Sequence, residues 1–362
     1  MEPADETPTR NEGNTTMTDL FTPNRRRLLT LAAGAAAAPF APAILRAQEP
    51  GRVVMSTWGG DYAKLLTQNI EEPLLKPQGI EVVQDAGTEP TRVAKSIAQR
   101  RLPRGSVDVI CVQAPAAYDL EDSGMLEPLD ESKVPNLKFV QPAFATPYSI
   151  PHIYSPQVIA YSPERVKTPP KSFDEMAAYG SKVGILDNSY IWVAMAAALK
   201  QQGDPGKIAE VKATMEKLIK AGARAYTSTE AFAPAIKSGE IDVGLVWHAR
   251  VLFWTKGGVE MASSFPTEGC LTYVSSMCVL KNAPNKAGAF AYINAALDPR
   301  AQRGFADSMG YHPTITNAAL EGDVAKRLAL PEGAKLLPAP YPQLSAVRDD
   351  MNDWWRRLLD RR

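Results

Sequence analysis

The chain has 362 residues, 40 basic and 40 acidic, so its formal net charge is zero; 45% of its residues are hydrophobic. Neutrality excludes the basic excess on which nucleic-acid binding rests, and the densest arginine clusters lie at positions 25–27 and near the C-terminal end. Such a length exceeds one ordinary core, so two domains of about 150 residues are expected once a leader is removed, and 30 prolines call for many turns and extended crossings.

Residues 1–47 read as a signal peptide. A polar stretch leads to Asn24-Arg25-Arg26-Arg27-Leu28-Leu29, then to an Ala-rich apolar run from Leu31 to Ala38 and on to Ile44. Adjacent arginines before two leucines and a mild apolar core fit a twin-arginine export signal, cleaved near Ala47, with Met17 as a second candidate start. The run is too short, and too broken by Pro39 and Pro42, to span a membrane, and no later stretch has 18 consecutive apolar residues. Cys270 and Cys278 sit eight apart on one expected strand, roughly 26 Å when extended, which is beyond disulfide reach. With Cys111 they are expected as buried free thiols, and no spacing suits zinc.

Beyond the leader, strands and helices alternate. Arg52 to Thr57 is an apolar strand ending in Trp58-Gly59-Gly60-Asp61, and a helix from Tyr62 to Leu75 follows with Asp61 as its N-cap. Ile80 to Gln84 is a strand, Thr91 to Gln99 a helix after Pro90, and Val107 to Val112 a buried strand ending at Gln113. A helix from about Ala116 to Ser123 carries Tyr118. Pro147 to Tyr161, with prolines at 147, 151 and 156 among β-favouring residues that include Tyr154, reads as an extended crossover between two units. A second α/β pattern follows: a helix from Phe173 to Tyr179, the strand Val183 to Leu186, and Asp187-Asn188-Ser189 capping a helix from Tyr190 that carries Trp192. Helices follow over Lys207 to Ala221 and Glu230 to Lys237, then the strand Ile241 to Trp247. Leu271 to Leu280 crosses back. Helices over Ala287 to Leu297 and Pro299 to Met309, a break at Tyr311-His312-Pro313-Thr314, and a tail helix from about Leu344 to Leu359 on the second lobe complete the chain.

Several of these stretches carry a resemblance. Tyr148-Ser149-Ile150-Pro151, the strand-end Trp in Gly244-Leu245-Val246-Trp247, Glu268-Gly269 leading into Tyr273-Val274-Ser275-Ser276, and the Asn285-Lys286-Ala287 to Asn294 helix look like the spermidine/putrescine type of periplasmic solute-binding protein. The resemblance implies an α/β type II periplasmic binding fold: two lobes, each an open, mostly parallel sheet flanked by helices, with the cleft at the hinge. Residues 48–155 plus about 276–310 would form lobe 1, and 156–275 plus about 311–362 lobe 2. It further implies a clamp that closes on a solute for an ABC importer, with no chemistry performed and no cofactor.

In that pattern Trp58, Trp247 and Tyr273 stand as the aromatic walls that attract an ammonium group. A buried ammonium also needs a carboxylate. Ser275 occupies the position of the family's aspartate, and the acidic positions of the second-lobe helix fall around Ser189 to Val193; Asp187 is close, as counter-charge or as helix cap. This departure argues against a polyamine. Arg250, three residues after Trp247, offers a fork to a carboxylate or phosphonate, or else an interlobe salt bridge; His248 and His152 are candidate assistants or structural residues. The candidate ligand set is therefore Trp58, Gly59, Asp61, Gln113, Tyr118, Tyr154, Asp187, Ser189, Trp192, Trp247, Arg250, Tyr273 and Ser275. The solute expected is an amine-bearing zwitterion or organic acid, with a true polyamine as the alternative.

Rival classes are a ligand-presenting sensor component, which closes in the same way, and a hydrolase. No Gly-x-Ser-x-Gly, His-Glu-x-x-His, Walker A or dinucleotide motif supports an enzyme. The expected partners are a small-molecule ligand and a membrane permease, with no nucleic acid, for a monomer exported to the periplasm.

Overall fold

A computed structural model describes residues 51–361. The expected signal peptide, with its arginine motif, its cleavage near Ala47 and the Met17 start, lies outside the described residues. In chain order the first part supplies β1 (Arg52–Thr57), α1 (Gly60–Leu66), β2 (Glu81–Ala86), α2 (Glu89–Gln99), β3 (Val109–Gln113) and α3 (Ala114–Asp122), then the long strand β4 (Ile150–Tyr161). The middle supplies α4 (Phe173–Ala177), β5 (Val183–Leu186), α5 (Tyr190–Gln202), α6 (Lys212–Lys220), β6 (Arg224–Tyr226), α7 (Thr229–Ser238), β7 (Val243–Trp247), α8 (His248–Lys256) and β8 (Ala262–Ser264). A second long strand, β9 (Cys270–Val279), precedes α9 (Lys286–Ala296), α10 (Pro299–Met309), β10 (His312–Pro313), α11 (Gly322–Leu328), β11 (Leu336–Pro338) and α12 (Tyr341–Asp360).

Strands joined through helices pair in parallel: β1 with β2 and β3, and β5 with β6 and β7. The main path runs β2-β1-β3-β9-β4-β7-β5-β6, so two antiparallel crossover strands lie at its centre. The stretch expected to cross does so: β4 pairs with β9 from Ile150 to Pro156 and with β7 from Gln157 to Tyr161. The partner change falls at Pro156, a residue with no N–H to give to a ladder. At Gly244 an added Cβ would lie 2.4 Å from the Gly184 carbonyl oxygen, so the β5–β7 approach requires glycine there.

Period-two alternation sends side chains to helices on both faces. In the first half, Val109 and Cys111 join Val53, Met277, Tyr292 and Phe305 on one face, while Ile110 and Val112 join Leu120 and Cys278 on the other. In the second half, Val243 and Leu245 pack with Phe173, Met195 and Trp355, and Val246 with Phe232 and Trp254. Tyr311, Ile315 and Ala318 pack into the first core, which therefore extends past residue 310. All three cysteines are buried and free. Among the described residues no helix is long and apolar enough to cross a membrane.

Two local expectations differ. The helix expected through Leu75 is α-helical only to Leu66 and then widens to a π-helix over Thr67–Leu75. Pro73 lies inside that segment, where its missing N–H and bulky ring disfavour regular i to i−4 bonding. The N-cap of α1 is Gly59; Asp61 lies in the first turn, exposed, and accepts from Lys64 Nζ at 3.2 Å.

Candidate functional site

The segments that leave β1, β3 and β7 meet at a cleft of about 450 Å³. Trp58 to Tyr62 follow β1, Gln113 ends β3, and Arg250, Phe253 and Trp254 come from α8, directly after β7. Ile153 on β4 and Tyr273 on β9 form part of the wall, with Glu230 from α7, Met309 at the end of α10 and Tyr311 just beyond it. The turn at its rim depends on Gly60, whose φ of 67° lies in the left-handed region that favours glycine. A site at the carboxyl ends of parallel strands follows from the topology.

An aromatic row runs along this cleft. Trp192 meets Trp247 edge-on at 4.6 Å between centroids, Trp247 tilts against Tyr273 at 5.2 Å, and Tyr273 against Tyr311 at 6.1 Å. On the first-half side Trp58 meets Tyr62 edge-on at 5.2 Å, and the Arg92 guanidinium stands 5.0 Å from the Trp58 ring centre. Arg92 is 3% exposed and is held by carbonyls: Nε donates to Gly87 at 3.0 Å, and Nη1 to Ser56 at 3.1 Å and to Cys111 at 2.5 Å. Trp58 is thus backed by a fixed cation.

Beneath the floor lies a neutral polar layer. The Tyr62 hydroxyl lies 2.8 Å from His152 Nδ1 and 3.2 Å from Cys111 Sγ, which is 3.5 Å from Ser275 Oγ. Burial pushes the Cys111 thiol up to about 11 and drives His152 down to about 3, so both are uncharged at neutral pH. His248 and His312 are likewise buried and depressed to about 4 and about 3, chiefly by desolvation. Glu89 accepts the Gln113 N–H at 2.6 Å and so fixes the end of β3; burial raises its carboxyl above the usual range.

The cleft carries three charged side chains. Asp61 is engaged with Lys64. Glu230 and Arg250, both from the second half, have no hydrogen-bond or ion-pair partner among the described residues, and Glu230 is exposed. The field of Arg250 reaches Tyr273, whose phenol is raised well above normal by burial and drawn partly back by that guanidinium. Aromatic walls with one open guanidinium and one open carboxylate can hold a small molecule bearing both signs of charge.

Of the residues singled out from sequence, Trp58, Gly59, Asp61, Gln113, Arg250 and Tyr273 come together in the cleft. Trp247 packs against Tyr273, and Trp192, 5% exposed, packs behind it. Ser275 is fully buried below the floor. Tyr154 stacks on His312 at 4.9 Å and meets Phe144, away from the cleft. Asp187 accepts a hydrogen bond from Trp355 Nε1 of α12 at 2.6 Å and does not line the cleft, and Ser189 donates to Asn188. Tyr118 lines a separate cavity. His152 and His248 are 0% and 4% exposed and do not line the cleft. Sequence reasoning missed Tyr62, Glu230, Phe253 and Tyr311; Glu230, two residues past the Ser228 cap, carries only the signal of an acidic first-turn residue. Among the described residues no group of three or more His, Cys, Asp and Glu side chains is placed to hold a metal ion.

A two-core α/β clamp whose cleft gathers aromatic rings and unpaired charges, with every histidine buried, is the architecture of a binding protein. Comparison with known proteins agrees. The family described as bacterial extracellular solute-binding protein matches residues 72–332. The chain is 28% identical over 334 residues to a spermidine/putrescine-binding periplasmic protein 1 of Haemophilus influenzae, covering 84% of this chain and 88% of that one. It is 26% identical over 323 residues to a gamma-aminobutyric acid-binding protein of Pseudomonas aeruginosa, covering 83% and 88%. The solved structure of the Atu4243-GABA receptor superposes with a TM-score of 0.73 at 24% identity, over 85% of this chain and 97% of that one.

The chain belongs to the bacterial extracellular solute-binding proteins. Its fold is the type II periplasmic binding fold expected from the sequence, and it is a substrate-binding component of an ABC importer, not an enzyme.

Proposed function

We propose that the cleft captures a small amine-bearing zwitterion. Arg250 takes its carboxylate or other anionic end, Glu230 its ammonium, and Trp58, Tyr62, Tyr273 and Tyr311 cover the carbon chain between them. The observation that carries this reading is the pair of opposite charges left open on one wall of an otherwise aromatic cleft. The two lobes close over the solute because it binds the closed arrangement better than the open one, and the closed form is what the permease recognises. The protein works as a monomer in the periplasm, exported through its paired arginines and cleaved near Ala47; Arg26→Lys with Arg27→Lys would then leave it in the cytoplasm.

A polyamine is the second reading, supported by the carboxylates of Asp61 and Glu230, one from each half, and by the names of relatives. Arg250 weighs against it, because a guanidinium in the same cleft repels a dication. A thermal-shift screen of polyamines, α- and ω-amino acids, aminophosphonates and small carboxylates separates the two. A ligand at 100 times its dissociation constant adds about 2.7 kcal/mol of stability. Stabilisation by zwitterions is expected; stabilisation by spermidine or putrescine alone would overturn the first reading.

A further inference from the structure

Outside the cleft, the feature that calls for a ligand is a second cavity of about 120 Å³ on the opposite face of β9. Alternation along the strand turns Tyr273 and Ser275 one way, while Thr272, Val274 and Ser276 line this cavity. Tyr118 and Glu121 of α3 form a second wall, and Phe144 and Tyr341 complete it.

We propose that this cavity is a second binding site, for a compact organic ammonium ion. Tyr118, Phe144 and Tyr341 supply the aromatic surface that attracts such cations. Glu121 supplies the opposite charge: its carboxylate has no cation and no hydrogen-bond donor among the described residues, and partial burial with Asp122 beside it raises its proton affinity. Ser276, a mostly buried residue, lines the space, so its hydroxyl can bond an occupant's ammonium N–H. An apolar cavity of about 150 Å³ holds benzene, so this one takes five or six heavy atoms, which excludes spermidine. An anion is excluded by Glu121.

The walls come from both cores. α3 packs on the first half-sheet, whereas Tyr341 packs against the second core. A change of angle between the halves alters the cavity, so its occupant favours one arrangement and changes affinity at the cleft by the same factor as the cleft solute changes its own. This inference stands independently of which solute the cleft takes.

The test is titration of the protein with n-butylammonium, followed by amide NMR and calorimetry, with n-butanol as the neutral control. Saturable shifts are expected at Tyr118, Ser276 and Tyr341, with n-butanol at least tenfold weaker. Glu121→Gln weakens binding at least tenfold, and Ala145→Leu, an exposed position that lines the cavity, abolishes it while melting as the parent does. Glu230→Gln in the cleft leaves it unchanged. No saturable shift at those three amides, equal affinity in Glu121→Gln, or loss in Glu230→Gln with retention in Glu121→Gln would overturn the proposal.

Discussion

The two sides of the cleft treat charge in opposite ways. Around the strand ends of the first half, the buried charged groups are tied to backbone. Both oxygens of Asp108, 1% exposed, accept backbone N–H groups, from Val54 at 2.8 Å and Asn285 at 2.6 Å, while Arg92 donates to three carbonyls and Glu89 accepts from Gln113. Across the gap, the side chains of Arg250 and Glu230 have no hydrogen-bond or ion-pair partner among the described residues. Charges of the first kind hold a scaffold; those of the second kind cost little stability while exposed and wait for a ligand. The difference separates structural from recognition residues without reference to any relative.

Substitution on the scaffold side gives the largest expected effect. Asp108→Ala removes the acceptor of two buried N–H groups and is expected to cost about 3 kcal/mol, read as a lower midpoint in urea, whether or not ligand is present. Arg250→Ala is the counterpart: a stability change within about 0.5 kcal/mol, but a loss of about 2 kcal/mol or more in affinity, roughly 30-fold. If Arg250→Ala unfolds the protein at lower urea and binds as before, the comparison fails.

Acid sharpens the contrast further. His152, His248 and His312 are held below the unfolded value, so the unfolded chain takes up protons first as pH falls. Their contribution is complete above about pH 6.5 and is lost as pH falls from there to about 4 for His248 and about 3 for His152 and His312, at up to about 1.4 kcal/mol per pH unit for each histidine. Melting temperature should therefore drop steeply over that window. His152→Gln, which keeps polar atoms without the titration, should flatten the curve; an unchanged slope would remove His152 from the account.

The smallest effect concerns the tail. Arg348 of α12 pairs with Asp119 of α3, although α12 packs Leu344, Met351 and Trp355 into the second core. Each side chain is about one-third exposed, so the pair contributes about 0.5–1 kcal/mol. A double-mutant cycle of Asp119→Asn and Arg348→Met is expected to give a coupling of that size in ligand affinity, since the pair links the two halves; zero coupling would make it a surface contact.

Patterns within one element were readable from the sequence. The bounds of β1, β5 and α10 follow from apolar runs and from Pro299 and Gly310, and the strand-end residues Trp58, Gln113 and Arg250 follow from the rule that such ends face the cleft. Contacts between distant segments were not readable. Asp187 has a partner 168 positions away in Trp355, and nothing local marks it as taken. Tyr118 lines a cavity on the far face of β9 because α3 turns that side away from the cleft. Glu230 looks like an ordinary helix-dipole partner until Arg250 is seen with it in one cleft.

The most direct measurement compares three four-carbon ligands by calorimetry on the parent protein, Arg250→Ala and Glu230→Gln: 4-aminobutyrate, 1,4-diaminobutane and succinate. The account predicts that the parent prefers the zwitterion, that Arg250→Ala loses this preference against the diamine, and that Glu230→Gln loses it against the diacid. Tightest binding of the diamine by the parent, strengthened rather than weakened in Arg250→Ala, would contradict it.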